Sequence, residues 1–159
     1  MPITAGIALV ASLALAGVPP LNGFVSKEMF FAASLKTDAV LAGVPGGAAL
    51  TFLFPVLAVV GSILTFIYSL RISHGVFYRQ GTHGLKLEEG AQLSEAPRGL
   101  WIPPAVLAAL AVVFGIAPAL VDNAVVASAV RTVLGPVESP PLALWHGFNV
   151  PLLMSVAVM

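Results

Sequence analysis

The sequence predicts an all-α membrane fold: a polytopic set of transmembrane helices, one of them discontinuous. Three observations carry that expectation. Of 159 residues, 58% are hydrophobic and 9% charged, where a soluble domain carries about 25% charged residues. Residues 39–70 and 99–121 contain no formal charge, and each is longer than the roughly 20 residues that take a helix across a bilayer. The stretch LAGVPPLNGFVSKEMFF, residues 15–31, breaks an apolar run with two prolines and two glycines and sets a lysine beside the break.

The totals exclude several classes of function. Seven basic and seven acidic residues cancel, leaving no net field to attract nucleic acid. No cysteine is present, so there is no disulfide frame and no thiol chemistry. The opening MPITAGIALVASLALAG has the small, apolar residues of a signal peptide. No Lys or Arg precedes Lys27, however, so the positive start of such a peptide is missing.

In chain order, residues 3–18 make an apolar helix that Pro19 must end, and the helical pattern resumes from about Phe24 to around Val40. Together, residues 3–40 read as one broken crossing. The alternative is an ordinary helix at 3–25 followed by an interfacial amphipathic one. LAGVPGG, residues 41–47, has the composition of a turn. AALTFLFPVLAVVGSILTFIYSL, residues 48–70, is the second span. Its Pro55 and Gly61 are tolerable in lipid, where neighbouring helices satisfy the freed backbone. Residues 71–100 form the wet loop, with Arg71, Arg79, Lys86 and Arg98 against Glu88, Glu89 and Glu95. The third span covers residues 100–121. Trp101 sits at its interface, Pro103-Pro104 in the first helical turn, and Asp122 and Asn123 close it. A poorer loop, 122–140, carries Arg131 and runs into Pro136, Pro140 and Pro141. The last segment, PLALWHGFNVPLLMSVAVM, is uncharged to its end. An uncharged start and an apolar finish are what a piece of a longer membrane protein would show. The expected organisation is therefore a transmembrane module over 1–126, a loop at 127–141, and the start of a further helix at 142–159. With four Lys/Arg in 71–100, none in 41–47 and one in 122–140, the positive-inside bias makes 71–100 cytoplasmic.

The chemistry concentrates at the break. Val18-Pro19-Pro20 leaves carbonyls near residues 15 and 16 without helical partners, a costly state in hydrocarbon unless protein or water surrounds them. Asn22, Ser26 and Lys27 are the nearby side chains able to donate to them. The end of the first half-helix also offers negative potential to a cation. An ionisable residue inside a crossing is by default a pathway residue, and half-helix ends recur as ion sites in transporters. Lys27 is therefore the main proton-path candidate, with Pro19, Pro20 and Gly23 shaping the break. Glu28 points away from Lys27, because adjacent side chains diverge on a helix, and is expected to meet another helix. The plainer alternative puts Lys27 and Glu28 at a membrane interface, with the lysine snorkelling.

Other polar residues carry weaker signals. Arg71 and His74 are three apart and share a helix face; His74 is a secondary proton-path candidate. His146, beside Trp145 and three residues before Asn149, is another; a structural hydrogen bond is the competing role. His83 has no assigned role. Nothing in the sequence suggests a metal cluster, a phosphate-binding glycine loop or a nucleophile–base pair, so no metal, cofactor or catalytic residue is assigned.

LALAGVPPLNGFVSKEMFF resembles the segment shared by the proton-translocating antiporter-like subunits of respiratory complex I and of Mrp-type multisubunit cation/proton antiporters. The proline break, Gly-Phe and Ser-Lys-Glu coincide in order and spacing. SKEMFF, together with LWHGFNVPLLMSV, is most similar to the A subunit of the Mrp type. The resemblance implies that residues 1–126 are the last helices of an antiporter module, with Lys27 on the polar axis that carries protons. It further implies partners: the other subunits of a hetero-oligomeric complex in the cell membrane, protons, and sodium or another monovalent cation. The alternatives are a proton-pumping membrane subunit of NADH:quinone oxidoreductase and a non-transporting structural protein. The family's upstream glutamate–lysine pair is absent from these residues.

Overall fold

The computed structural model describes residues 1–78, 94–135, 142–144 and 147–159. Among them every regular element is helical. The segments that carry Arg79, His83, Lys86, Glu88 and Glu89, and those that carry Trp145 and His146, lie outside the described residues.

Helix α1 spans Pro2–Ala16 and α2 spans Asn22–Ser34, so the expected discontinuity is present and an unbroken helix over 3–25 is not. Helix α1 stops for a local reason. Gly17 takes the left-handed conformation (φ 80°), and the amides of Gly17 and Val18 turn back to the carbonyls of Ala14 and Leu13. That is a Schellman ending, which uses a glycine where any side chain would be strained. Pro19 and Pro20, without amide donors, follow this ending, and α2 starts after Leu21, whose backbone is extended.

Helix α3 (Asp38–Leu41) is one turn, and the chain reverses through Gly43 and Gly46, both at positive φ. Helix α4 runs from Gly47 to Ser73 and passes into a π-helical turn at His74–Tyr78. The apolar span of 31 residues that ends at Phe77 measures about 46 Å at 1.5 Å per residue, more than a hydrocarbon core. Its hydroxyls are satisfied locally: Thr51 donates to the Gly47 carbonyl, Thr65 to Gly61 and Ser69 to Thr65.

Helix α5 covers Arg98–Ile116, about 28 Å, also enough to cross. It begins two residues earlier than expected, so Pro103 and Pro104 fall inside the helix and not in its first turn. After Ala117-Pro118 the helix does not end. It continues through α6 (Ala119–Val121), a π-helical turn at Asp122–Val126 and α7 (Ala127–Leu134). The loop expected over 122–140 is thus helical as far as Leu134. Conversely, in the uncharged segment from residue 141 the described residues 142–144 and 147–149 are not helical, and α8 (Val150–Val158) follows them.

Helix α1 packs against α4 and α5, and α2 packs against α4, α5 and α8. The broken helix is therefore the axis around which the others assemble. Phe31 of α2, Ala58 of α4 and Val158 of α8 form the small buried core, with Val59, Phe66 and Met154 against it. Most apolar bulk points outward instead: Phe52 is 76% exposed and Leu107 67%. Only 11% of the most apolar stretch of α4 and 6% of that of α5 are buried. Water would penalise such a surface, whereas lipid and neighbouring helices would not. These two long apolar helices support a membrane location.

At the start of α1 the Glu95 carboxylate accepts hydrogen bonds from the amides of Ile3 and Thr4 and from the Thr4 hydroxyl. The Thr4 hydroxyl is the largest influence holding the Glu95 carboxyl below its usual range. This contact fixes the start of α5 beside the start of α1, so the two helices run in the same direction.

Candidate functional site

Three glycines allow the backbone to close around the break. A Cβ on Gly17 would stand 2.5 Å from Cδ of Lys27, so the bare glycine gives the lysine stem its bed. A Cβ on Gly23 would overlap the Ala14 carbonyl, with the carbonyl carbon 2.8 Å away; here the first turn of α2 lies on the last turn of α1. A Cβ on Gly115 would overlap the Pro20 carbonyl and stand 2.7 Å from the Asn22 amide nitrogen. Helix α5 thus presses its one buried residue against the unwound segment.

Within this cradle Lys27 Nζ donates to the Ala16 carbonyl oxygen at 2.6 Å. The acceptor is one of the orphan carbonyls that the broken ladder leaves over. The amine sits where the carbonyl ends of α1 concentrate negative potential. Of the three expected donors, Lys27 makes this bond. The side chains of Asn22 and Ser26 make none to the break among the described residues, and both residues are exposed.

Glu28 diverges from Lys27 as expected and is 4% exposed. Its carboxylate accepts from Asn149 Nδ2 at 3.2 Å. The other end of the same amide caps α8: Asn149 Oδ1 accepts from the Leu152 amide at 2.8 Å. One asparagine thereby ties the buried acid of α2 to the start of α8. A cleft of about 320 Å³ opens beside the pair, lined by Glu28, Met29, Ala33, Lys36 and Asn149. Asn149→Ala removes both bonds. The lost cap alone is worth about 1 kcal/mol, and the acceptor left with one bond fewer about 1–3 kcal/mol. The expected outcome is a lower unfolding temperature of the purified protein in detergent, while Asn149→Ser, which can still cap, loses less.

His74 and Arg71 share a second cleft with Leu9, Leu70 and Ser73, about 500 Å³ in volume. Leu9 is seven residues before Ala16, so this cleft lies about 10 Å along α1 from the break. His74 is thus placed on the side where α1 begins, apart from Lys27. The structure brings Lys27, Gly17, Gly23, Pro20 and Gly115 into one site and puts Glu28 with Asn149 in a neighbouring one. Sequence reasoning missed Gly115 and the pairing of Asn149 with Glu28. Among the described residues, no group of three or more His, Asp or Glu could hold a metal ion.

No family model matches the chain. It is 40% identical over 158 residues to the probable K(+)/H(+) antiporter A/B subunit of Rhizobium meliloti (strain 1021), across 98% of this chain and 14% of that protein. It is 34% identical over 165 residues to the Na(+)/H(+) antiporter A subunit of Alkalihalophilus pseudofirmus, across 99% of this chain and 20% of that one. In three dimensions it is similar to a chain in the structure of the Mrp complex from Dietzia sp. DQ12-45-1b. The TM-score is 0.71 and the identity 32%, over 99% of this chain and 15% of that one. The chain spans between 14% and 20% of the length of these curated relatives.

Proposed function

From its match, over most of the chain, to the A-subunit family of Mrp-type Na+/H+ antiporters, we propose that this chain is part of a proton-translocating subunit of a monovalent cation/proton antiporter, with Lys27 as a protonatable residue of the transmembrane path. It acts as a transporter element and not as an enzyme. Its partners are the other subunits of a hetero-oligomeric complex in the cell membrane. Relatives are named for potassium as well as sodium, so the cargo is a monovalent cation. Residues 1–126 belong to the end of the antiporter module, 127–141 connect it, and 142–159 open the following helix. The residues between 71 and 100 face the cytoplasm. His74, and His146 in the segment before α8, are secondary stations.

The observation that carries the reading is the 2.6 Å bond from Lys27 Nζ to the Ala16 carbonyl across a helix break. An amine in that position has one fixed acceptor, a carbonyl that tolerates its charge, and two hydrogens left for other partners. Losing the proton would weaken its hold on Ala16 and free the side chain to move, which links protonation to geometry. Glu28, directed to another side of α2, engages α8 through Asn149. The test is Lys27→Ala in the assembled protein, with cation-driven proton movement read in everted membrane vesicles. Coupled exchange is expected to fall to background while membrane insertion and assembly stay at the unsubstituted level. Exchange at the original rate would remove Lys27 from the path.

A further inference from the structure

We infer that the cleft between α1 and α4 at Arg71 and His74 binds the phosphate of an acidic phospholipid, with an acyl chain of that lipid along the exposed Val60, Leu64 and Ile67 stripe of α4. The inference needs the membrane location of the chain and not the transport role of Lys27. By sequence Arg71 and His74 share a face at the end of the second span. In the structure the helix continues past Arg71 into the π-helical turn at His74–Tyr78, and both residues are exposed.

Depth is the first observation. With the turn at 41–47 at one surface, the roughly 30 Å of hydrocarbon ends near Tyr68, about 31 Å along α4 from Gly47. Arg71 stands about 36 Å along, within the headgroup layer. Periodicity is the second. Val60, Leu64, Ile67, Arg71 and His74 recur at spacings of four, three, four and three, so they form one stripe along the helix. The three apolar members are exposed at hydrocarbon depth, and Arg71 and His74 follow at headgroup depth. An acyl chain that ends in a phosphate has the same order. The cleft itself is the third, about 500 Å³, with Leu9 of α1 and Leu70 as its apolar wall and Arg71, Ser73 and His74 as its polar one. Ser73 is 2% exposed, and its buried Oγ has no partner among the described residues, a costly state for a hydroxyl.

An acidic phospholipid fits the polar wall by charge and by hydrogen bonding. Among the described residues, no hydrogen bond or ion pair occupies the Arg71 guanidinium, and its planar fork grips two phosphate oxygens at once. An imidazole N–H of His74 can donate to the same group. A phosphate oxygen in the cleft also gives the Ser73 hydroxyl the acceptor that it lacks. A zwitterionic lipid has the phosphate too, but its ammonium brings a second positive charge beside Arg71, so the acidic headgroup is favoured. Glu95, the described acid at this end, is already held by the Ile3 and Thr4 amides. A soluble anion would use the same polar wall and leave the Val60, Leu64 and Ile67 stripe without a role.

The experiment uses the full-length subunit within its purified complex, in a neutral detergent. The probe is phosphatidylglycerol with a photoreactive diazirine in its acyl chain, and the label is mapped by mass spectrometry of the α4 peptides. Label is expected on the stretch from Val60 to Ile67. Unlabelled phosphatidylglycerol should compete it away, whereas the same excess of phosphatidylcholine or of inorganic phosphate should not. Arg71→Gln should weaken probe binding about tenfold or more and Ser73→Ala about threefold, in line with charged and neutral hydrogen bonds. Equal competition by phosphatidylcholine, as for an arginine that only snorkels, overturns the inference. So does full competition by inorganic phosphate, unchanged binding in Arg71→Gln, or an unlabelled α4. Should Arg71→Gln fail to assemble, the competition series on the unsubstituted protein decides. Full exchange in Lys27→Ala would defeat the transport reading and leave this site standing.

Discussion

Lys27→Arg keeps the positive charge and is nevertheless expected to stop coupled exchange. The guanidinium can still donate to the Ala16 carbonyl that Lys27 Nζ now occupies at 2.6 Å, so the end of α1 stays satisfied and the break keeps its cation. What changes is the ability to release a proton. The reference values of the two groups differ by about two to three pKa units. That makes release roughly a hundred- to a thousandfold harder, or about 3–4 kcal/mol on any step that needs the neutral side chain. If Lys27 only capped a helix, arginine would serve nearly as well. If it carries protons, arginine should be as defective as alanine in transport and better than alanine in stability. The two readouts are cation-driven proton movement in everted vesicles and the unfolding temperature of the purified protein. Normal exchange in Lys27→Arg would reduce the lysine to a structural cap.

The larger, planar head of arginine also bears on geometry. Lys27 lies along Gly17, where a single added carbon would stand 2.5 Å from Cδ. There is little slack beside that glycine. A modest loss of stability in Lys27→Arg is therefore compatible with the role assigned here, since the deciding quantity is exchange per assembled complex.

How much of this was legible beforehand depends on whether the cause was local. The break was legible because its causes are local: Gly17 ends α1 in the left-handed conformation, and Pro19-Pro20 right after it has no amides to resume the ladder, whereas Pro103-Pro104 lies within α5. The divergence of Lys27 from Glu28 was legible for the same reason, since helical geometry alone separates neighbours. The second and third spans followed from uncharged length. The continuation of helix from Asp122 to Leu134 was not legible. A polar pair after an apolar run is the ordinary sign of a membrane surface, and only a hydrogen bond from the Leu142 amide, twenty residues on, shows that Asp122 is inside. Likewise Asn149 is separated from Glu28 by 121 positions, and nothing in either local pattern names the other. Gly115 looked like one more small residue in an apolar helix. Its meaning is a close approach, which exists only once α5 lies across the break.

That approach yields the last of the large effects. Gly115→Ala and Gly23→Ala are expected to lower the amount of assembled protein severely, although alanine is the better helix former by about 1 kcal/mol. A new Cβ at Gly115 would stand 2.5 Å from the Leu21 carbonyl carbon and overlap the Pro20 oxygen; at Gly23 it would overlap the Ala14 oxygen. These neighbours are backbone, so no rotamer change makes room and a whole helix must withdraw. Overpacking of side chains costs typically about 1–3 kcal/mol and sometimes more. A rigid backbone neighbour puts both sites at or beyond the upper end, well above the gain in propensity. Gly61 of α4 supplies the control, because a Cβ there meets nothing within 4 Å, and Gly61→Ala should be neutral or stabilising. The two damaging changes should also differ in kind. Gly23→Ala separates α1 from α2 directly and so lengthens the reach from Lys27 to Ala16. Gly115→Ala pushes α5 off the unwound segment and leaves that bond in place. Protein that still assembles with Gly115→Ala should then keep more exchange per complex than protein with Gly23→Ala. Equal assembly of both with Gly61→Ala would mean that the helices do not meet where these glycines place them.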